Sequence, residues 1–495
     1  MREATAPAAC PAGVYRRRRP ERTVLHRLVR EHLETYLAGA EEADPLGNGV
    51  PRFVEARFRA YLRCGILAHG FARARCKGCG HDFLVAFSCK GRGVCPSCNA
   101  RRMADTAAHL TDHVIPAVPV RQWVLSVPKR LRWFLHRDPV VADAVLHILL
   151  RALRRTLRAR SPGAGSEARF GAVSFLHRFG ASLNPHFHYH LCVLDGVYEA
   201  VEEETGEDVP STSVRFHEAT ALTRADVEAL QGIVRKRVLR WFVRHGLLEE
   251  RVADEMLAWG HAGGFSLDAR VRIEAHDRAG LERLLRYCAR PPFALERLEW
   301  GHREAEGEVL YRLPRPTPDG RTVLRLSPLE FLARLAALVP PPRVHRHRYH
   351  GVLAPNSSLR SRVTASAGDA ASHPFPQTTP VSMLSRRRAR SPSRRSSRWA
   401  SLLARIYHAR PLVCPECGEP MRLIAFLTDP FSIRDVLSHL REPLRPPKVH
   451  PSRGPPELAF GFADASDEYM DQTPAVDPTE PEPIPPYPMD QTRSW

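Results

Sequence analysis

The sequence predicts an α+β fold in which an antiparallel sheet follows a helical N-terminal module. Three observations predict it. Two strand-like runs, GAVSFLHRF and HFHYHLCVLDG, are joined by the turn-forming GASLNP. Several segments repeat apolar residues at helical spacing and carry their own capping residues, and the cysteines cluster in short-spaced pairs. A chain of 495 residues exceeds what one core usually organises, so roughly two to four units are expected.

In chain order, residues 1–22 are rich in Pro, Ala and Arg and read as disordered. A helix is expected from Thr23 (VLHRLVREHLETYLAG) and a second through FVEARFRAYLRCGIL, followed by the cysteine-rich Cys76–Cys98 segment. These make a module over 23–115. Trp123 opens a strand (WVLSVP), and Asp138–Pro139 caps a long helix reaching about Arg158. After the hairpin, Thr223 and Asp226 form a variant capping box for a helix ending near Gly246. A strand (VRIEAH), a helix from about Asp277 to before Pro291, and two strands around Pro318–Gly320 come next. Ser327, Pro328 and Glu330 give a full capping box for a helix ending near Val339. This stretch, 116–361, is expected to form a second and larger domain. Residues 362–400 read as a flexible basic linker, 401–442 as a small folded module, and 443–495 as a disordered, Pro-rich acidic tail.

Lys and Arg number 73 against 54 acidic residues, a formal charge of +19, which favours a polyanionic partner such as nucleic acid. The Arg-crowded first twenty residues lack the apolar core of a signal peptide, and no apolar run spans a bilayer. Eleven cysteines in close pairs suit metal binding in a reducing compartment, so a cytoplasmic protein is expected.

Cys76 and Cys79 bracket CKGC, and Cys95 and Cys98 bracket CPSC, with fifteen residues between the pairs. Each CxxC brings two thiolates to one ion from a tight turn, and two such turns complete a tetrahedron, so a structural zinc site is expected. Four thiolates leave no open position for chemistry. The use of such a site is to stiffen a basic surface, Lys90, Arg92, Arg101 and Arg102, able to lie on phosphates. Cys89, between the pairs, reads as a buried hydrophobe or an alternate ligand. Cys414 and Cys417 form another knuckle, CPEC, with no second pair after it.

In HFHYHL, His186, His188 and His190 alternate with Phe187 and Tyr189, so the imidazoles share one face and the aromatics the other. Imidazoles held in this way can bind a divalent ion that keeps positions open for substrate oxygens. The HRH run at His345–His347, after prolines, suits a basic DNA-facing loop. In DRAGLERLLRYCARPPF, Leu281, Leu284, Leu285 and Cys288 form an apolar stripe; Tyr287 falls beside it, toward Arg283 and Arg290. A phenol flanked by guanidinium groups is poised for a phosphate, because the cations favour both phosphate and phenolate.

These segments, with CKGC…FSCKGRGVCPSCNARRMA, RQWVLSVPKRLR, RFGASLNPHFHYHLCVLDGVY, RYCARPPFALERL, SPLEFLARLAALVPPPRVHRHRYHGVLAP and CPECGEPMRLIAFLTDPFSIRDVLSHL, resemble the HUH rolling-circle transposases of IS91-type and common-region bacterial insertion sequences. The resemblance covers about residues 23–442. It implies an HUH nuclease core, Mg²⁺ or Mn²⁺ held by two histidines around a hydrophobic residue, and a helix-borne tyrosine that joins the 5′ phosphate and frees a 3′ hydroxyl. The expected partner is single-stranded DNA from element ends, with neither membrane nor small-molecule substrate. The motif pair maps onto His188 and His190, with His186 as third ligand, or onto His186 and His188. The nucleophile maps onto Tyr287. Two-tyrosine members carry the second tyrosine four residues away, where this chain has Arg283, so it resembles a single-tyrosine branch. Two other classes compete: a metal nuclease that activates water, and a non-catalytic zinc DNA-binding protein.

Overall fold

The computed structural model describes residues 17–203, 211–301, 307–317, 319–367, 413–414 and 416–453. Helix α1 (Val24–Ala43) starts where the Thr23 hydroxyl accepts the His26 amide, and α2 (Arg52–Arg63) follows. The hairpin β1 (Phe71–Cys76) and β2 (Asp82–Ala86) leads to α3 (Pro96–His113) and β3 (Val120–Ser126). Next come α4 (Lys129–Arg137) and α5 (Pro139–Arg160), the latter capped by Asp138 as expected. The predicted hairpin is β4 (Gly171–Phe179) and β5 (Pro185–Leu194), followed by β6 (Gly196–Glu203) and β7 (Ser211–Glu218). Helix α6 (Arg224–Arg244) carries the Thr223–Asp226 capping box with both reciprocal bonds. Then follow α7 (Glu250–Ala258), β8 (Ser266–Asp268), β9 (Arg272–Ile273), α8 (Arg278–Cys288), β10 (Leu298–Trp300), β11 (Val309–Arg312) and β12 (Val323–Leu326). The last elements are α9 (Pro328–Ala337), β13 (His347–Gly351), α10 (Arg360–Ala365), β14 (Met421–Leu427) and α11 (Pro430–His439).

The architecture is mixed helix and antiparallel sheet. Its centre is a six-stranded sheet ordered β13-β4-β5-β3-β8, with β9 also on β3, and every pairing is antiparallel. Strand alternation gives β5 two buried faces. Phe187, Tyr189, Leu191 and Val193 enter the core built with α5 and α6, where the Tyr189 hydroxyl donates to the Ala142 carbonyl at 2.7 Å. Cys192 and Leu194 enter the opposite core, with Leu281, Leu284, Leu285 and Cys288 of α8 and Ala107 and Leu110 of α3. Burial of each large side chain contributes about 1.5–3 kcal/mol, so the sheet is fixed from both sides and its register with it.

The structure departs from the expected organisation in five places. First, residues 17–22, expected as disordered, are ordered, with a 3-10 turn at Pro20–Arg22 and Arg17 paired with Glu442 at 2.8 Å. Second, packing crosses the boundary set near residue 115: α1 and α2 share one core with β10, β11, β12 and α9. Third, residues 362–365 of the expected linker belong to α10. Fourth, the small C-terminal module does not stand alone. Strand β14 adds to β1 with Cys76 opposite Met421, and Ile433 and Leu437 of α11 pack on Leu67, Phe71 and Leu84. Fifth, the start of the expected tail runs along α1, where the amides of His450 and Arg453 donate to the Arg30 carbonyl and the Thr35 hydroxyl, both at 3.0 Å. The rest of that tail, residues 1–16 and most of the basic linker lie outside the described residues. Among the described residues no helix is long and apolar enough to cross a membrane.

Candidate active site

Three histidines meet on the α8 side of the central sheet. His188 and His190 come from β5, and His177 comes from β4, directly across the ladder from His188. Ring centroids are 4.4 Å apart for His177–His190 and 5.0 Å for His177–His188 and His188–His190. One ring nitrogen from each lies within 4.8 Å of the others. The Nε2 of His177 donates to the Cys288 carbonyl at 2.7 Å, which leaves its Nδ1 as a lone pair. That Nδ1 and the Nε2 of His190 are buried without a protein partner. The Gln122 side-chain amide lies 2.9 Å from Nδ1 of His190; turned so that its oxygen accepts from Nδ1–H, it fixes the ring with Nε2 as the lone pair. Burial, reinforced by neighbouring histidines and Arg290, holds His177 and His188 far below the usual imidazole range; burial and Arg290 bring His190 down to about 3. The rings are therefore neutral near pH 7, the state in which imidazole ligates a cation. Three convergent neutral rings, two of them with an orphaned buried nitrogen, fit a divalent ion.

His186, expected as a third ligand, is not in this group. It starts β5, and the Arg132 guanidinium donates to its Nδ1 at 3.1 Å. Burial, with Arg132 and His136 adding, lowers its pKa to about 4. Its ring nitrogens lie outside the set of ligand atoms that fall within 4.8 Å of one another, and the Arg132 cation beside it disfavours a second one. His177 takes the place instead. Its signal was present in the hairpin: antiparallel pairing across GASLNP sets HRF opposite HFH.

Tyr287 reaches the same point from α8. While the Leu281, Leu284, Leu285 and Cys288 stripe is buried, the half-buried Tyr287 ring lies edge-on to His190 with centroids 5.4 Å apart. The Arg290 guanidinium sits 4.4 Å from the Tyr287 ring centroid. Arg283 is exposed and lies 3.8 Å from Asp277, the cap of α8, so Arg290 rather than Arg283 covers the phenol ring.

A cavity of about 480 Å³ adjoins this group; its lining includes His177, Cys288, Ala289 and Arg290 together with Arg92, Arg102, Arg346 and Arg348. Arg346 is crowded enough that burial, with Arg102 and Arg92 nearby, holds its guanidinium down to about 10, still charged at pH 7. The HRH run is therefore no simple loop. His345 is exposed and lines the cavity, whereas His347 opens β13 opposite Phe175. Of the basic residues read beside the cysteines, Arg92 and Arg102 reach this cavity. Arg92 also donates to the Val344 carbonyl at 2.6 Å. Lys90 is exposed in a left-handed conformation, and Arg101 lies 3.8 Å from Asp105.

The cysteines regroup. Cys95 and Cys98, at the start of α3, meet Cys64 at the end of α2 and Cys89, with Sγ–Sγ separations of 3.5–3.7 Å. Cys76 and Cys79 lie instead with Cys414 and Cys417. The expected set of Cys76, Cys79, Cys95 and Cys98 is thus split, because β1 and β2 pair into a hairpin that carries the first knuckle away from the α2–α3 contact. Cys64 gave no sign in sequence, standing alone without a CxxC partner.

Two family models match. The first, "Putative transposase" (Y2_Tnp), covers residues 171–361. The second, "Transposase zinc-binding domain" (Zn_Tnp_IS91), covers residues 28–127. The chain belongs to the IS91-type transposases. The transposase match contains His177, His188, His190 and Tyr287; the zinc-binding match contains Cys64, Cys89, Cys95 and Cys98, a set fit for Zn²⁺. Neither the curated proteins nor the solved structures searched contain a match to this transposase.

Proposed function

We propose that this transposase nicks single-stranded DNA through a covalent 5′-phosphotyrosine, as in rolling-circle transposition by an HUH nuclease. The observation that carries the reading is the meeting of the Tyr287 ring with His190, within one group of neutral histidines drawn from two strands. The Tyr287 oxygen attacks phosphorus, a Tyr–O–P bond forms and the bond to the 3′ oxygen breaks. The phenol proton passes to solvent, and the departing 3′ oxygen takes up a proton to become a hydroxyl. Because one phosphodiester replaces another, a 3′ hydroxyl of a second strand can reverse the step and complete transfer. Arg290, over the Tyr287 ring, offers a cation to the approaching phosphate.

His177, His188 and His190 would hold the divalent ion, Mg²⁺ or Mn²⁺, which when bound supplies Lewis-acid polarisation of the scissile phosphate. Three nitrogen donors suit Mn²⁺ better than Mg²⁺. The arginine-lined cavity would take the phosphates next to the cut. Accordingly, Arg346→Gln weakens single-stranded DNA binding and flattens the dependence of log K on log salt by about 0.7, as expected for one lost phosphate contact; fluorescence anisotropy across a salt series measures it.

Labelled oligonucleotides test the reading. With Mn²⁺, a 3′-end-labelled strand migrates with the protein on a denaturing gel, and EDTA removes the shift. Free 5′-phosphorylated product without any adduct would indicate activated water instead. No cutting under any metal would leave a non-catalytic zinc DNA-binding protein.

A further inference from the structure

We propose that Cys76, Cys79, Cys414 and Cys417 hold a second zinc ion, which clasps the C-terminal segment onto the N-terminal hairpin. The proposal is independent of the DNA chemistry. Residues 414 and 417 lie outside both matched segments.

The sulfur geometry is that of a metal and not of a disulfide. Sγ of Cys76 lies 3.4 Å from Cys417, Sγ of Cys79 lies 3.5 Å from Cys414, and all four fall within 4.8 Å of one another. A disulfide needs about 2.05 Å between sulfurs. A zinc tetrathiolate, with Zn–S of about 2.3 Å, has sulfur–sulfur edges of about 3.8 Å.

Backbone geometry gives a second, independent observation: the two CxxC segments fold into equivalent knuckles. Each is followed by a glycine in the left-handed region, Gly80 at φ 74° and Gly418 at φ 76°. The Gly80 amide donates to the Cys76 carbonyl at 3.2 Å, and the Gly418 amide to the Cys414 carbonyl at 3.0 Å. The first cysteine of each is closed by the same five-residue bond, from the Cys76 amide to the His81 carbonyl at 2.9 Å and from the Cys414 amide to the Glu419 carbonyl at 2.8 Å. Two such knuckles facing each other at the end of the β14-β1-β2 sheet form the arrangement of a zinc ribbon, assembled from halves more than 300 residues apart. The CPEC knuckle that lacked a partner in sequence finds it in CKGC.

The consequence is mechanical. The clasp closes a loop that contains the whole histidine–tyrosine site. It also fixes the chain on the far side of the basic run RRRARSPSRRSSR (386–398) against the zinc-binding domain. Constraints that close long loops remove the most entropy from the open chain. Cys79 and Cys417 are exposed, whereas Cys64, Cys95 and Cys98 are buried, so the clasp ion is the one a chelator reaches first.

The experiment uses the full chain carrying a specific protease site inserted in 386–398. By inductively coupled plasma mass spectrometry, the Cys414→Ser/Cys417→Ser chain holds one zinc fewer than the unsubstituted protein, and Cys417→His restores it. After cleavage, the C-terminal fragment co-elutes on gel filtration in the unsubstituted and Cys417→His proteins and separates in the double-serine chain. An unchanged zinc count, or a fragment that stays bound without its ion, overturns the proposal. Should the double-serine chain fail to fold, the Cys417→His chain loaded with Co²⁺ decides. A visible spectrum altered from that of the unsubstituted protein supports the clasp, and an identical one overturns it.

Discussion

A Tyr287→Phe chain binds single-stranded DNA nearly as well as the unsubstituted protein and forms no covalent adduct, with strand cleavage lower by at least about 10⁴-fold. The substitution removes one oxygen and keeps the ring. Its edge-on contact with His190 and its stacking under Arg290 depend on the ring, so the neighbourhood stays packed. In the proposed reading affinity is carried by the guanidinium groups of the cavity, which the change does not touch. Two other buried tyrosines, Tyr189 and Tyr311, are not placed to replace it. Tyr189 points to the opposite face of the sheet and donates to Ala142, and burial pushes the Tyr311 phenol up to about 12. Denaturing electrophoresis with 3′-labelled DNA reads the adduct, and anisotropy reads the binding.

The second large effect separates the histidines. His177→Ala, His188→Ala and His190→Ala each lower Mn²⁺-dependent cleavage by about 10²-fold or more, the equivalent of several kcal/mol of charge stabilisation. His186→Ala falls much less, because its nitrogen serves Arg132 and lies outside the group. The contrast is informative because His186 and His188 are indistinguishable by strand alternation. A chain in which His186→Ala is as damaged as His188→Ala, while His177→Ala is spared, would mean the ligand set is the three consecutive alternating histidines. Cleavage rates at saturating DNA, with the Mn²⁺ concentration varied, tell lost metal affinity from lost turnover.

Much of the fold was legible because local chemistry announced it. Thr23, Asp138, Thr223 and Ser327 cap helices where their side chains can accept free amides, and GASLNP turns two strands into a hairpin. The sidedness of HFHYHL follows from the two-residue repeat of a strand, and the α8 stripe from the helical one. Legibility ended where partners are far apart in sequence. His177 is fixed by hairpin register, which one strand alone does not reveal. The cysteine groups depend on the β1–β2 hairpin turning one knuckle away and on β14 returning across the sheet. Spacing made Cys76–Cys98 look like one site because nothing local distinguishes two half-sites from one whole. The shared core of α1, α2 and α9 was hidden for the same reason: apolar faces state that they are buried but not against what.

The account turns on which atom holds the DNA. Trapping the Mn²⁺-dependent product, digesting both protein and nucleic acid, and sequencing the modified peptide by mass spectrometry identifies that atom directly. The expected result is a nucleotide 5′-phosphate on Tyr287, within the peptide that includes Tyr287–Arg290. A nucleotide on another residue, such as the cavity-lining Tyr349, or cleaved DNA with no modified peptide at all, would contradict it.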